Sequence, residues 1–426
     1  MSAFDRVIGY EPIKKELLQI VDMIRSRNVY EELGARLPQG VLLHGDPGLG
    51  KTLMAECFIE ESGLGAYTVR RNKGGDGFIG DITETFRKAG ETAPCIVFLD
   101  DLDKFAGEDG DHRSAEEYAA VQAGIDEVKN RGVFVLATAN NIRKLPFSLV
   151  RSGRFDRKIE VGCPTDRDAE AIIAHYLSDK KVSESVNMED LAKMISYSSC
   201  AELETILNEA AIRAAYERRR SIGMDDLVKA VLKLKYDSAD NDSETDGEGR
   251  MRTALHEAGH LVVSEVLCPG SVGLASLRST IRNETGGFIH RCRDVPGRSQ
   301  YVLISLAGKA AVELYYADPC TVGCKDDIRR AYDAIRDGIS EEATHGFGMV
   351  DVSTQTFPET TENYKARNEA VTHAEMERCM LKTRNILLKN MDFLEKAAEA
   401  LMEKGTLLYS DIQALKASTT ITKAAG

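Results

Sequence analysis

No apolar run in this chain approaches the roughly 20 residues that a membrane-crossing helix needs. The longest, such as GVFVLATA from Gly132 and HLVVSEVL from His260, are far shorter. The N-terminal MSAFDRVIGYEPIKKEL has no apolar core of a signal peptide. An excess of positive charge is also missing. Lys and Arg number 55 against 68 Asp and Glu, for a net charge of -13, which excludes nucleic acid and anionic membrane as main partners. A paired cysteine framework is lacking as well. The nine cysteines are odd in number and scattered, so they read as reduced thiols of a cytoplasmic chain. A membrane anchor is expected only if the sequence is a piece of a longer protein. Cys320 and Cys324 are spaced for a metal pair, although small core residues fit that spacing equally. What remains is ordinary globular composition, 43% hydrophobic and 29% charged over 426 residues. That length suits two or three domains, each with its own core.

Chemistry-bearing residues first concentrate in TALHEAGHLVVSEVL, Thr253 to Leu267. A helix turns once in about 3.6 residues, so His256 and His260 stack on one face. Two neutral imidazoles at that spacing can hold one zinc ion. Glu257, one residue along, can reach a water on such a metal and act as general base. Five residues alone are equally consistent with two surface histidines and a helical glutamate.

A second concentration lies upstream. From residue 1 to about 162, helical patterns alternate with short apolar runs: VLLHG at Val41, AYTVR at Ala66, CIVFLD at Cys95, GVFVLATA at Gly132 and RKIEV at Arg157. Buried parallel strands read this way, so the expected class is α/β. After the first run comes GDPGLGKT, which satisfies G-x-x-x-x-G-K-[ST] at every fixed position. Gly45, Gly48 and Gly50 let backbone N–H groups turn around phosphate oxygens, with Asp46, Pro47 and Leu49 between them. Lys51 reaches the β and γ phosphates, Thr52 offers its hydroxyl to Mg²⁺, and Leu53 follows in the helix. The third run ends in Asp100 and Asp101. An acid at the end of a buried strand is costly unless it binds something. Asp100 suits the water shell of Mg²⁺, and Asp101 the orientation of an attacking water. Asn140 ends the fourth run, where it suits the same water or the γ-phosphate, or simply a turn. Arg151 and Arg154 follow in LVRSGRFDRKIEV, placed to reach a neighbouring subunit's phosphates or to form surface salt bridges.

FDRVIGYEPIKKEL, GDPGLGKT, IVFLDDLD, ATAN and RSGRFDR, in that order, resemble an AAA-family ATPase module. The resemblance implies a homo-oligomer, a hexameric ring with ATP between subunits. It implies that Val7, Ile8, Gly9 and His175 lie against adenine. GGDGFIGD resembles the family's first pore loop, with Phe78 and Ile79, before Gly80, gripping polypeptide; without that resemblance Phe78 reads as a buried hairpin residue. The family usually has Glu where this chain has Asp101, one methylene shorter.

Residues 163–236 turn wholly helical, with an apolar stripe at Leu203, Ile206, Leu207, Ala210, Ala211 and Ala214. This resembles the helical lid of the ATPase, and Ala201 matches the lid position that touches nucleotide. Residues 237–249, DSADNDSETDGEG, cannot build a core and read as an acidic linker. Residues 250–426 are mostly helical, with possible strands around Ser276 to Phe288. HEAGH, LAGKAAVEL and GCKDDIRRA resemble the metallopeptidase domain of the FtsH family. That resemblance puts Asp327 in the place of the third zinc ligand, with Glu313 and Asp326 as alternatives. It covers almost the whole chain and implies an ATP-dependent zinc metalloendopeptidase that unfolds, translocates and degrades unfolded or tagged proteins, using Zn²⁺, ATP and Mg²⁺. GGFIHR is a candidate edge strand for pairing with substrate. Two other expectations remain open at this level: a remodelling ATPase with an inert peptidase half, and a nucleotide-binding assembly protein without turnover.

Overall fold

All five apolar runs of the first half form strands: β1 (Gly40–His44), β2 (Gly65–Val69), β3 (Cys95–Leu99), β4 (Val133–Ala139) and β5 (Arg157–Glu160). The structure, a computed structural model, describes residues 2–71, 76–106, 115–238, 247–279, 286–317, 323–342, 344 and 362–423. The chain divides into two compact units, Met1–Asp179 with Tyr197–Asn208, and Lys180–Ser196 with Glu209–Gly426.

In the first unit the strands form one sheet in the order β2-β3-β4-β1-β5, and every pair is parallel. Its helices are α1 (Glu11–Arg25), α2 (Arg27–Glu32), α3 (Lys51–Ser62), α4 (Asp76–Glu91), α5 (Ala115–Glu127), α6 (Phe147–Val150) and α7 (Asp166–Leu177). Successive side chains of a strand face opposite sides. Val133 and Val135 of β4 therefore join a cluster with Phe78, Ile82 and Phe86 of α4 and Val121 and Ile125 of α5. Phe134, between them, stacks on Phe58 of α3 with ring centroids 5.5 Å apart. Register fixes where the chemistry falls. β1 and β4 end together, His44 opposite Ala139, while β3 ends two residues earlier with Leu99 opposite Ala137, so that Asp100 and Asp101 follow beside the last residues of β4. The phosphate loop, the two acids and Asn140 each follow one of these ends, the usual ligand-binding edge of a parallel sheet.

Phe78, Ile79 and Gly80 differ from the expected loop. All three lie within α4, not in a gripping loop. Phe78 is 1% exposed and meets Phe105 edge-on with centroids 5.3 Å apart. The reason is periodic: Phe78, Ile82 and Phe86 recur every four residues and form one buried helical stripe. Residues 72–75, the first part of the expected loop, lie outside the described residues.

Three helices follow: α8 (Met188–Met194), α9 (Cys200–Tyr216) and α10 (Met224–Tyr236). Leu203, Ile206, Leu207, Ala210 and Ala214 form the buried stripe of α9, and the division between the units runs through that helix. Of the expected linker, residues 239–246 lie outside the described residues. Its last residues, Gly247 to Gly249, already belong to the next helix, α11 (Gly247–Leu267).

The second unit is helical around a small antiparallel sheet. Its remaining elements are β6 (Val272–Ser276), β7 (Phe288–Arg291), α12 (Arg298–Tyr316), α13 (Lys325–Glu341), α14 (Glu362–Lys389), α15 (Met391–Lys404), β8 (Thr406–Leu408) and α16 (Tyr409–Ala417). The strand order is β7-β6-β8, which leaves β7 at an edge. Helix α11 is the hub of the core. Ala254, Leu255, Ala258, Leu261, Val262 and Val263 are all fully buried against α12 and α15. No helix among the described residues is long and apolar enough to cross a membrane.

Candidate functional site

The phosphate loop leaves β1 and ends where α3 begins at Lys51. Gly48 shows why the loop needs glycine. Its φ is +79°, and an added Cβ would lie 2.9 Å from the Cβ of Ala201. Ala201 in turn donates its N–H to the Gly48 carbonyl at 3.1 Å, which brings the predicted lid residue onto the loop. Lys51 is 5% exposed. Its Nζ donates to the carbonyls of Gly45 and Asp46, both at 2.7 Å, and to Asn140 Oδ1 at 2.9 Å. Burial pushes its ammonium below the ordinary lysine range, against the pull of Asp101 and Asp103.

Asp100 is 1% exposed. Its Oδ1 accepts from Thr52 at 3.1 Å and Thr138 at 2.8 Å, and its Oδ2 faces the Arg70 guanidinium. Burial pushes this carboxyl up, but the donors from Thr138 and Arg70 prevail and hold it below the usual range. Asp101 has a left-handed backbone, φ 55°. Its Oδ1 accepts from Asn140 Nδ2 at 3.1 Å, and its Oδ2 pairs with Lys104 at 2.6 Å. Thus Lys51, Thr52, Asp100, Asp101 and Asn140 come together from three strand ends.

The flanking residues divide. Val7 is buried and Ile8 is half-buried. At Gly9 an added Cβ would lie 2.6 Å from Asp168 Oδ1, and Tyr10 donates its N–H to that oxygen at 3.1 Å. His175 is exposed near the end of α7, edge-on to Tyr176. Arg151 is exposed. Arg154 is a correction: its side chain is 3% exposed and forks onto Asp126 at 3.1 and 2.7 Å, with a further bond to the Ser148 carbonyl. Three of its five N–H donors are engaged within its own chain and the side chain is buried, which does not suit a guanidinium that reaches out to a neighbour's phosphates. Proximity to a strand end gave no hint of the acid on α5 that captures it.

At the second site α11 supplies His256 and His260, and the first turn of α13 supplies Asp327. His256 Nε2 and His260 Nε2 are 3.1 Å apart, and Asp327 Oδ2 is 3.2 Å from the first and 3.3 Å from the second. Zinc bonds of about 2.0–2.1 Å in a tetrahedron set ligand atoms about 3.3 Å apart, so the donor triangle fits zinc. It is the one such three-residue cluster among the described residues. His260 Nδ1 lies 2.7 Å from the Ile304 carbonyl, which fixes the tautomer that leaves Nε2 free for metal. His256 Nδ1 faces Cys324 Sγ at 3.9 Å. Glycine at 308 makes room, since an added Cβ would lie 2.4 Å from the His256 ring.

Burial alone would lower the His256 imidazole, but the Asp327 carboxylate outweighs it and raises the ring to about 10. Burial likewise favours a neutral Asp327, yet the two imidazoles hold its carboxyl far below the usual range. Glu257 is 6% exposed, and burial raises its carboxyl above the usual range. A Cβ on Gly287, just before β7, would lie 2.8 Å from Glu257 Cγ, so the chain entering the edge strand runs against this acid. The alternative ligands are elsewhere engaged. Glu313 pairs with Lys309 and Arg384, and Asp326 pairs with Arg329. Cys320 lies outside the described residues.

Sequence reasoning missed four contributors: Arg70, Thr138, the Ile304 carbonyl and the steric role of Gly308 at His256. Thr138 had a weak signal as the polar residue of an apolar strand. A backbone carbonyl has none.

Comparison with known proteins gives a consistent picture. Residues 41–163 match the family described as ATPase family associated with various cellular activities (AAA). ATP-dependent zinc metalloprotease FtsH 3 of Symbiobacterium thermophilum is 30% identical over 97% of this chain and 70% of its own length. ATP-dependent zinc metalloprotease FtsH of Caldicellulosiruptor bescii is 30% identical over 97% of the chain and 71% of its own length. The FtsH of Thermus thermophilus is 31% identical over 96% and 70%. Across such relatives the chain spans between 60% and 71% of their length. With the nucleotide cradle and the zinc-spaced triad on one polypeptide and similarity running through both, the chain belongs to the FtsH family of ATP-dependent zinc metalloproteases.

Proposed function

We propose that this chain is an ATP-dependent zinc metalloendopeptidase in which His256, His260 and Asp327 hold the metal and Glu257 is the general base. The supporting observation is the donor triangle, 3.1 to 3.3 Å on each side, with a buried glutamate one residue from its first ligand. Zinc, when bound, supplies a Lewis acid that lowers the pKa of water to about 7. Glu257 takes a proton from the attacking water and returns it to the leaving amine. A carboxyl raised by burial suits the base half of that exchange, because it accepts a proton more readily than an exposed glutamate. The strand β7, entered at Gly287 beside Glu257 and at the sheet's edge among the described residues, suits pairing with an extended polypeptide.

In the first unit the phosphate loop and Lys51 hold the ATP phosphates, with Val7, Ile8, Gly9, His175 and Ala201 as the base-side contacts. Thr52 and Asp100 would hold Mg²⁺, which would supply positive charge to the phosphates. Asp101 and Asn140 orient water, and the exposed Arg151 is the guanidinium that reaches a neighbouring copy in a hexameric ring. Substrates are unfolded or tagged proteins. A folded domain is held by about 5–15 kcal/mol, so its cleavage requires work from ATP.

The test is degradation of one folded and one unfolded protein, each with and without ATP, by wild type and Glu257→Gln. Wild type is expected to need ATP for the folded protein. Glu257→Gln is expected to stop both cleavages by about 10² to 10⁴-fold while phosphate release continues. Cleavage that survives in the variant would falsify the base assignment.

A further inference from the structure

Asp100 presents two unlike oxygens. Oδ1 faces the two hydroxyls, Thr52 at 3.1 Å and Thr138 at 2.8 Å. Oδ2 takes the fork of Arg70, with Nε at 2.8 Å and Nη2 closing the second bond. Sheet register explains the meeting. Val69 of β2 pairs with Leu99 of β3, and Asp100 donates its N–H to the Val69 carbonyl at 3.0 Å. The next residue along β2, Arg70, is therefore held beside the next along β3. The Arg70 side chain is 62% exposed while Asp100 is 1% exposed, so the cation approaches a buried acid from the solvent side.

We propose that Arg70 is a positioning residue that sets the divalent-cation affinity of the nucleotide site, weakening it by sharing the charge of Asp100. This rests on the reading that Mg²⁺ lies between Thr52 and Asp100. Two effects of Arg70 oppose each other. It fixes the carboxylate rotamer, which favours a cation at Oδ1. It also places a positive charge on the other oxygen of the same carboxylate, which would disfavour a cation at Oδ1. The first effect is redundant, because Thr52 and Thr138 already orient Oδ1. The second acts on a double charge and dominates, though solvent at the exposed guanidinium screens it. Removing the charge should therefore tighten cation binding. A merely structural role predicts the opposite sign, because a loosened site binds worse.

The test uses the full chain with a fluorescent ATP analogue. Mg²⁺ is titrated by fluorescence and Mn²⁺ by the paramagnetic signal of the free ion, in wild type, Arg70→Gln, Arg70→Lys and Thr52→Ala. Arg70→Gln is expected to tighten both ions by about five- to tenfold at low salt, with the gain shrinking as salt rises. Arg70→Lys keeps the charge and is expected to stay within about twofold of wild type. Unchanged or weaker binding in Arg70→Gln overturns the proposal. If Thr52→Ala leaves both titrations unchanged, the placement of the cation itself is wrong, a different failure from that of Arg70.

Discussion

At the metal centre, His256, His260 and Asp327 turn their donor atoms toward a common space, whereas at the phosphate loop Lys51, Asp100 and Asp101 turn theirs toward their own chain. The first arrangement is set by packing. His260 is locked by the Ile304 carbonyl, and His256 is lodged against Gly308. The second is set by charge. Lys51 rests on two loop carbonyls and Asn140, Arg70 holds Asp100, and Lys104 holds Asp101. Arg154 is likewise turned onto its own chain by Asp126, whereas Phe78 is held by apolar packing in α4. At the metal centre the donors also face one another, His256 and His260 against Asp327, but they are already spaced for an ion, so binding exchanges these contacts and a proton with little movement of side chains. A nucleotide must exchange partners with groups that are already satisfied, so its binding is coupled to side-chain movement.

The sharpest way to break this contrast is to compare the two arginines. Arg151 is exposed and Arg154 is captured by Asp126. Arg151→Ala is expected to lower phosphate release by about 10³-fold or more, the scale of a trans-acting guanidinium, with little change in Tm. Arg154→Ala is expected instead to destabilise the first unit by about 1–3 kcal/mol, because it removes a buried side chain from the packing and leaves the Ser148 carbonyl without its donor. Turnover measured beside thermal unfolding separates them. Equal loss of turnover without destabilisation in both variants would return Arg154 to catalysis.

Phe78 carries the next largest effect. Phe78→Ala is expected to cost about 3–5 kcal/mol of stability, as for a large buried aromatic side chain, read as a lower midpoint of denaturant unfolding. A gripping residue would behave differently, with stability intact and ATP-driven degradation of a folded protein lost.

How much was legible follows the same divide. Five strands, the phosphate loop and HExxH were readable because their signals are local: apolar runs of strand length, glycines at fixed offsets, and histidines one helical turn apart. Asp327 needed the family resemblance, because α13 reaches His256 through a tertiary contact with a sequence separation of 71 residues. Arg70 was not readable at all, and for Arg154 and Phe78 the residues alone offered the salt bridge and the burial while the family resemblance drew the reading away. Each is decided by which partner a neighbouring strand or helix presents, and no spacing rule encodes a partner on another element. Phe78 was doubly hidden, since glycines on both sides resemble a loop while Ile82 and Phe86 extend a helix stripe.

Gly308 tests the preset half of the contrast at smaller scale. An added methyl would meet His256 ring atoms at 2.4 to 2.6 Å, close enough that the ring must move. Gly308→Ala is therefore expected to weaken zinc binding by about 10- to 100-fold, the range seen when a supporting shell is disturbed, as read by competition with a chromogenic chelator. Nucleotide affinity should be unaffected. If zinc affinity holds, the triangle adjusts around the metal and is not fixed by packing.

The smallest expected effect lies at Lys104. Its side chain is 60% exposed and its ion pair with Asp101 leaves that acid 30% exposed, so solvent screens most of the attraction. Such a pair contributes only a few tenths of a kcal/mol up to about 1. Lys104→Ala frees Asp101 Oδ2 while Asn140 still holds Oδ1. Phosphate release at saturating Mg-ATP should then rise by no more than about threefold, and only at low salt. A larger gain would mean that the pair is a brake on hydrolysis. A loss would mean that Lys104 holds Asp101 in its working position, making self-pairing part of the catalytic geometry and not a state that nucleotide must undo.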